Sequence, residues 1–217
     1  MTCFVAARAV VFDMDGTLLD TEPTYYAAFQ HALASVGLVA SDTFYAGLVG
    51  IARRDRTAAL RAEFGDAFPL DALSAAYTAH KSALLSGGIP VRPGVLPILD
   101  ALAARRLPCA VATSASRDTA LSHLSRTGLL SRFATLVTRD DVTHGKPHPA
   151  PFLSAAAALG ISPAHCLAVE DSAPAIHAAH AAGMITVMIG PAPDAQTRQR
   201  CRAVVASLPN AAALLQL

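Results

Sequence analysis

Short, unbroken apolar runs separated by longer helical stretches recur down this chain, and that rhythm most restricts the fold. The runs are Ala9 to Phe12, Cys109 to Ala112, Thr135 to Val137, Leu167 to Val169 and Ile185 to Ile189. A strand buried on both faces carries no polar alternation, because neither side meets water. Between the later runs lie helical stretches, Arg117 to Arg126, Pro149 to Leu159 and Ala173 to Ala182. Pro149 and Pro174 suit first turns, and Gly160 and Gly183 suit stops. Strand, helix and strand in this order make right-handed crossovers, so the expected class is α/β, a doubly wound parallel sheet with helices on both faces.

The segment from about Thr21 to Pro90 breaks the rhythm. It offers helical stretches at Tyr25 to Val36, Arg54 to Phe64 and Leu70 to Leu85, and no convincing strand. The expected division is a core of residues 1–19 and 91–217 with a helical insertion of residues 20–90. The return, Ser86-Gly87-Gly88-Ile89-Pro90-Val91-Arg92-Pro93-Gly94, has the glycine and proline content of a hinge.

A chain of 217 residues, 53% of them hydrophobic, can bury about 70% of the surface its unfolded form exposes, enough for a true core. Charge is nearly balanced, 17 Lys+Arg against 16 Asp+Glu. That balance supplies no broad electrostatic footprint for nucleic acid or an acidic membrane, so the expected partner is a small molecule. No segment supplies the ~20 unbroken apolar residues of a membrane-spanning helix, and the start lacks the layout of a signal peptide. Cys3, Cys109, Cys166 and Cys201 are scattered without a C-x-x-C pair, which suits free thiols in a reducing compartment. The expectation is a soluble cytoplasmic protein, a monomer or weak homodimer.

Asp13-Met14-Asp15-Gly16 leaves the first apolar run directly. In a wound sheet the carboxyl ends of the strands border the ligand crevice. Two acids sharing that mouth repel each other unless a cation neutralises them, and a hard divalent ion, magnesium first, answers that need. Such a sequence also suits an ordinary solvated turn; Thr17 and three downstream clusters argue for a site. Thr113-Ser114-Ala115-Ser116 follows the second run and offers hydroxyls and turn amides, of use either to phosphate oxygens or to a helix cap. Lys146 sits in His144-Gly145-Lys146-Pro147-His148-Pro149, a restricted loop from which it can neutralise a transferring phosphoryl group. Glu170-Asp171-Ser172 follows the fourth run as a second acidic pair, completing an oxygen-ligand set.

These residues resemble the haloacid dehalogenase superfamily of phosphohydrolases. Asp13-Met14-Asp15-Gly16-Thr17 matches its first motif, Thr113 its second, Lys146 its third and Glu170-Asp171-Ser172 its fourth. Ala175 departs from the pattern, since many relatives carry glycine there. The resemblance implies a wound parallel core with a helical cap inserted after the first strand. It implies that Asp13 attacks phosphorus to give an aspartyl phosphate and that Asp15 protonates the leaving oxygen and then deprotonates water. Asp13, the main-chain carbonyl of Asp15, and Asp171 would bind Mg2+, with Glu170 in or beside that set. Thr113, Ser114 and Lys146 would hold phosphoryl oxygens.

The expected activity is therefore magnesium-dependent hydrolysis of a small phosphate monoester, a sugar phosphate first. A mutase resembling β-phosphoglucomutase is the alternative, because Gly50-Ile51-Ala52-Arg53-Arg54-Asp55 resembles that enzyme's phosphate-gripping segment. Tyr25 stands where mutases carry a cap-hinge histidine, which favours hydrolysis. A non-catalytic receiver-like switch fits less well, since receivers lack the helical insertion. Glu22, Tyr25, Arg53 and Arg54 are the expected substrate-selecting residues of the cap. His144 and His148 flank Lys146 within reach of a substrate. His177 and His180 share a helical face without an evident third metal ligand.

Overall fold

The computed structural model describes residues 7–49 and 53–214, with main chain alone at 53–55 and 212–214. The chain forms two compact units, Met1–Asp20 with Pro90–Leu217, and Thr21–Ile89.

The first unit is built on a six-stranded sheet of β1 (Ala9–Phe12), β2 (Cys109–Ala112), β3 (Thr135–Val137), β4 (Cys166–Glu170), β5 (Ile185–Ile189) and β6 (Ala203–Val205). Its order is β3-β2-β1-β4-β5-β6. Every pairing is parallel. Successive strands step outward from β1 to β3, and the chain then returns to β4 on the other side of β1. The β1/β4 boundary is thus the topological switch point, where the loops part and leave a crevice. Phe12 pairs with Val169, so the next residues, Asp13 and Glu170, leave the two strands side by side. β1, β2 and β4 are buried throughout, the reason their sequences are continuously apolar.

The second unit is all helix among the described residues: α1 (Glu22–Ser35), α2 (Asp42–Leu48), α3 (Arg53–Phe64) and α4 (Leu70–Ser86). Phe29, Leu33, Leu48, Leu60 and Leu73 close its separate core. α1 begins three residues before the expected Tyr25, because Pro23 fits the first turn, where its missing N–H costs nothing. Ser41 caps α2 by accepting the Phe44 amide.

The remaining helices, α5 (Val95–Ala104), α6 (Arg117–Arg126), α7 (Ala150–Leu159), α8 (Ala173–Ala181), α9 (Ala195–Arg200) and α10 (Leu208–Leu214), belong to the sheet unit. Pro149 occupies the cap position of α7 and not its first turn, which starts at Ala150. Gly160 ends α7 in the left-handed conformation at φ 67°, where a glycine lacks the Cβ clash. Phe152 of α7 is wholly buried, in one core cluster with Val11, Ala110 and Ala168 of three strands. Burial of such a ring contributes roughly 1.5–3 kcal/mol.

The sheet unit also pins its own two crossings to the helical unit. The Asp20 amide donates to Pro90 O at 2.9 Å and the Arg92 amide to Leu18 O at 2.9 Å. Arg92 Nη1 lies 3.4 Å from Asp20 Oδ1. Cys109, Cys166 and Cys201 are free and buried, while Cys3 lies outside the described residues. No described helix is long and apolar enough to cross a membrane.

Candidate active site

Lys146 reaches the strand ends from the loop before α7. Its Nζ lies 2.6 Å from Asp13 Oδ1 and 2.5 Å from Glu170 Oε1. All three side chains are nearly or wholly withdrawn from water. The Phe152 ring lies beneath the ammonium, 5.2 Å from its centroid, so the apolar core of the sheet also floors the site.

Burial dominates the electrostatics. It pushes Asp13 up to about 6 against the pull of the Lys146 charge and hydrogen bond, with Asp15 adding repulsion. Burial likewise raises Glu170 well above the usual carboxylate range, again opposed by Lys146. For Lys146 burial works the other way, yet the two carboxylates outweigh it and hold the ammonium above its ordinary value. Lys146 therefore stays charged, and what varies is how fully its two acidic neighbours ionise.

Asp13, Glu170 and Asp171 present carboxylate oxygens within 4.8 Å of one another. Three carboxyl groups gathered beside one ammonium make an all-oxygen donor set, which is what a hard divalent cation takes. The backbone has been shaped around it. Gly16 adopts φ +81°, and a Cβ there would stand 1.9 Å from Asp171 Oδ2. Thr17 Oγ1 is buried without a hydrogen-bond partner. The residues present fit a bound metal ion.

Thr113 leaves β2 with its amide bonded to Val137 O at 2.9 Å. Its hydroxyl oxygen accepts the Ala115 amide at 3.0 Å. With one lone pair so engaged, the hydroxyl proton remains available for an incoming oxygen. Ser114 is exposed beside it. Asp15 is half-buried on the loop after β1; its carboxylate is outside the three-acid group, so it stays distinct from the metal-type donors.

Of the residues expected in the insertion, Glu22 opens α1 and interacts with Tyr45 of α2, whose hydroxyl is pushed up by burial first and by Glu22 second. Tyr25 shares Lys81 with Tyr77, the ammonium lying 5.4 and 5.5 Å from the two ring centroids. Arg53 and Arg54 open α3, but their side chains, like all of Gly50-Ile51-Ala52, lie outside the described residues. His144 and His148 are exposed on the Lys146 loop with ring centroids 4.9 Å apart. His177 faces Thr197 Oγ1 at 3.1 Å, an ordinary packing partner. Sequence reasoning missed the Phe152 floor and the purpose of Gly16. The glycine following Asp-x-Asp reads in sequence only as a residue that suits a turn, so the approach of Asp171 to it was not legible there.

The family model for haloacid dehalogenase-like hydrolases matches residues 10–189. A phosphorylated carbohydrates phosphatase of Thermotoga maritima is 30% identical over 177 residues, covering 82% of each chain. A fructose-1-phosphate phosphatase of Escherichia coli is 35% identical over 181 residues, covering 82% of this chain and 94% of its own. The crystal structure of CbbY from Rhodobacter sphaeroides in complex with phosphate superposes with a TM-score of 0.80 at 26% identity, covering 97% of this chain and all of that one.

Proposed function

The chain belongs to the haloacid dehalogenase-like hydrolase family, as a phosphoric monoester hydrolase, and from that premise we propose that it is a magnesium-dependent phosphatase of small sugar phosphates. The observation that carries the reading is the Lys146 ammonium shared between Asp13 and Glu170, with Asp171 alongside, at the β1/β4 switch point. A nucleophilic carboxylate, a fixed cation and a metal-type donor set meet there. The sugar-phosphate class is supported by the relatives that act on phosphorylated carbohydrates and fructose 1-phosphate.

In this reading Asp13 forms a bond to phosphorus as the ester P–O bond breaks, and the electron pair leaves on the alcohol oxygen. Asp15 donates its proton to that oxygen. Asp15, now a carboxylate, then takes a proton from water as the water oxygen attacks phosphorus and the Asp13–phosphorus bond breaks. Both aspartates return to their starting states. Lys146 keeps Asp13 ionised and aimed, and with the Thr113 hydroxyl and the Ser114 loop it receives the phosphoryl oxygens. Asp13, Asp171 and the Asp15 carbonyl would hold Mg2+, with Glu170 supporting, and the ion would offset negative charge between phosphate and carboxylates. Glu22, Arg53 and Arg54 are proposed to select the ester's alcohol.

The test is inorganic phosphate release from a panel of sugar phosphates, with and without Mg2+, for the native protein and Asp13→Asn. Metal-dependent release that the variant lacks supports the reading. Turnover seen only after a sugar bisphosphate is supplied would replace it with a mutase. Equal behaviour of the two proteins would remove Asp13 from the chemistry.

A further inference from the structure

We propose that Arg117 and Asp141 are positioning residues that lock the Thr113 loop to the Lys146 loop, so that the two groups meant for the phosphoryl oxygens keep a fixed separation. The proposal rests on the phosphatase reading and adds residues to it that no motif contains.

Thr113 and Lys146 leave different strands, and nothing in the sheet itself fixes one loop against the other beyond the ends of β2 and β3. The gap is bridged by a chain of directed contacts. Asp141 Oδ2 accepts both the amide and the hydroxyl of Thr138, at 2.7 and 2.6 Å, which anchors it at the end of β3. Its other oxygen, Oδ1, accepts from Arg117 Nη2 at 2.5 Å. Arg117 stands at the first position of α6, four residues beyond Thr113. Its main-chain amide is also held, donating to Asp140 Oδ2 at 2.8 Å. A main-chain bond between the loops, Arg139 N to Ala115 O at 3.1 Å, closes the bridge at the very residue whose amide holds the Thr113 hydroxyl.

One carboxylate with both oxygens in use, on partners from two loops, defines a position far better than a single surface ion pair does. The pair is largely open to water, with side-chain exposures of 45% and 29% for Arg117 and Asp141. Solvent screens its contribution to folding, so breaking it costs little stability. Its effect on alignment is not screened in that way, because a displacement of about 1 Å in a group that meets the reacting phosphate can cost ~100-fold in rate. A contact that matters more to alignment than to stability is what a positioning residue requires.

The experiment compares the native protein with Arg117→Met, Asp141→Asn, the double variant and Arg117→Lys. Four quantities are read: kcat and KM for p-nitrophenyl phosphate with Mg2+, calorimetric affinity for inorganic phosphate with Mg2+, and melting temperature. Each single neutral variant is expected to lower kcat/KM and phosphate affinity by roughly tenfold, with the melting temperature almost unmoved. The double variant is expected to be no worse than the weaker single, since both cut one contact. Arg117→Lys, which restores a charged donor, should recover a large part of the loss. Singles that stay within twofold of native in rate and phosphate affinity overturn the proposal, as do losses that multiply in the double. Should the native protein prove inert toward p-nitrophenyl phosphate and every sugar phosphate, the phosphatase reading fails by itself. The phosphate affinities then still decide the clamp.

Discussion

Gly16 passes so near Asp171 that a methyl group on its α-carbon would lie 1.9 Å from Asp171 Oδ2. The approach is main chain against carboxylate, so Asp171 would have to move away from Asp13 and Glu170 to make room. Gly16→Ala is therefore expected to separate the three acids and to add backbone strain of roughly 1–2 kcal/mol from φ +81°. Magnesium affinity, read by calorimetry, should fall at least tenfold, with activity following it. Unchanged affinity in a folded variant would show that Asp171 does not need its present place.

Removing the shared ammonium tests the buried charge balance. Lys146→Met leaves Asp13 and Glu170 facing each other in a nearly dry site, which costs about 3–5 kcal/mol when a buried pair loses one partner. Because both acids can escape by taking up protons, the penalty should shrink from pH 8 to pH 5. Urea denaturation of the metal-free variant at both values measures it. A penalty independent of pH would mean that the two carboxylates do not interact as described.

With Asp13 in its proposed role as a metal ligand, metal binding and proton binding would compete there. Its value in the folded protein, about 6, exceeds the ordinary 3.8, so the folded state holds this proton more tightly than the unfolded one. The stability this contributes is complete below pH 3.8 and is lost as pH rises through 6. Mg2+ should accordingly displace protons on binding near pH 6 and few at pH 8, and should raise the melting temperature more at pH 8 than at pH 5. Calorimetry in two buffers of different ionisation enthalpy counts the protons. A metal response that is flat between pH 5 and 8 would contradict the competition.

The described thiols should be inert in the folded protein. Burial pushes Cys109 up to about 12 and raises Cys166 and Cys201 as well, while the thiolate is the reactive form. Iodoacetamide at pH 8, followed by peptide mapping, is expected to leave all three unmodified until denaturant is added. Rapid alkylation of Cys109 in native protein would place it at a surface that the fold denies it.

The strands buried on both faces were readable from sequence because water exclusion leaves a continuous apolar run, as in Ala9 to Phe12 and Ile185 to Ile189. β6 escaped notice although β3, equally short and at the opposite edge, did not: Ala203–Val205 is half-buried throughout, while β3 ends on the buried Val137. α2, α5, α9 and α10 were not singled out either; α9 is six residues long and depends on Asp194 accepting the Thr197 amide. The acids and the lysine were legible because strand ends in a parallel sheet converge whatever lies between them. The sharing of Lys146 by Asp13 and Glu170, the Phe152 floor and the Arg117–Asp141 link were not, since each depends on how loops distant in sequence settle against one another.

The paired bonds at Asp20 with Pro90 and Leu18 with Arg92 carry a consequence for the history open to such a chain. They tie off the span from Thr21 to Ile89 at its base, inside the sheet unit, so the sheet experiences that span as a loop whose ends are already joined. The entropy of joining such ends grows only with the logarithm of the length between them. Whole helices can thus be gained, lost or exchanged beyond the tie at little entropic cost to the sheet unit, whose own two crossings stay joined whatever the span between them contains.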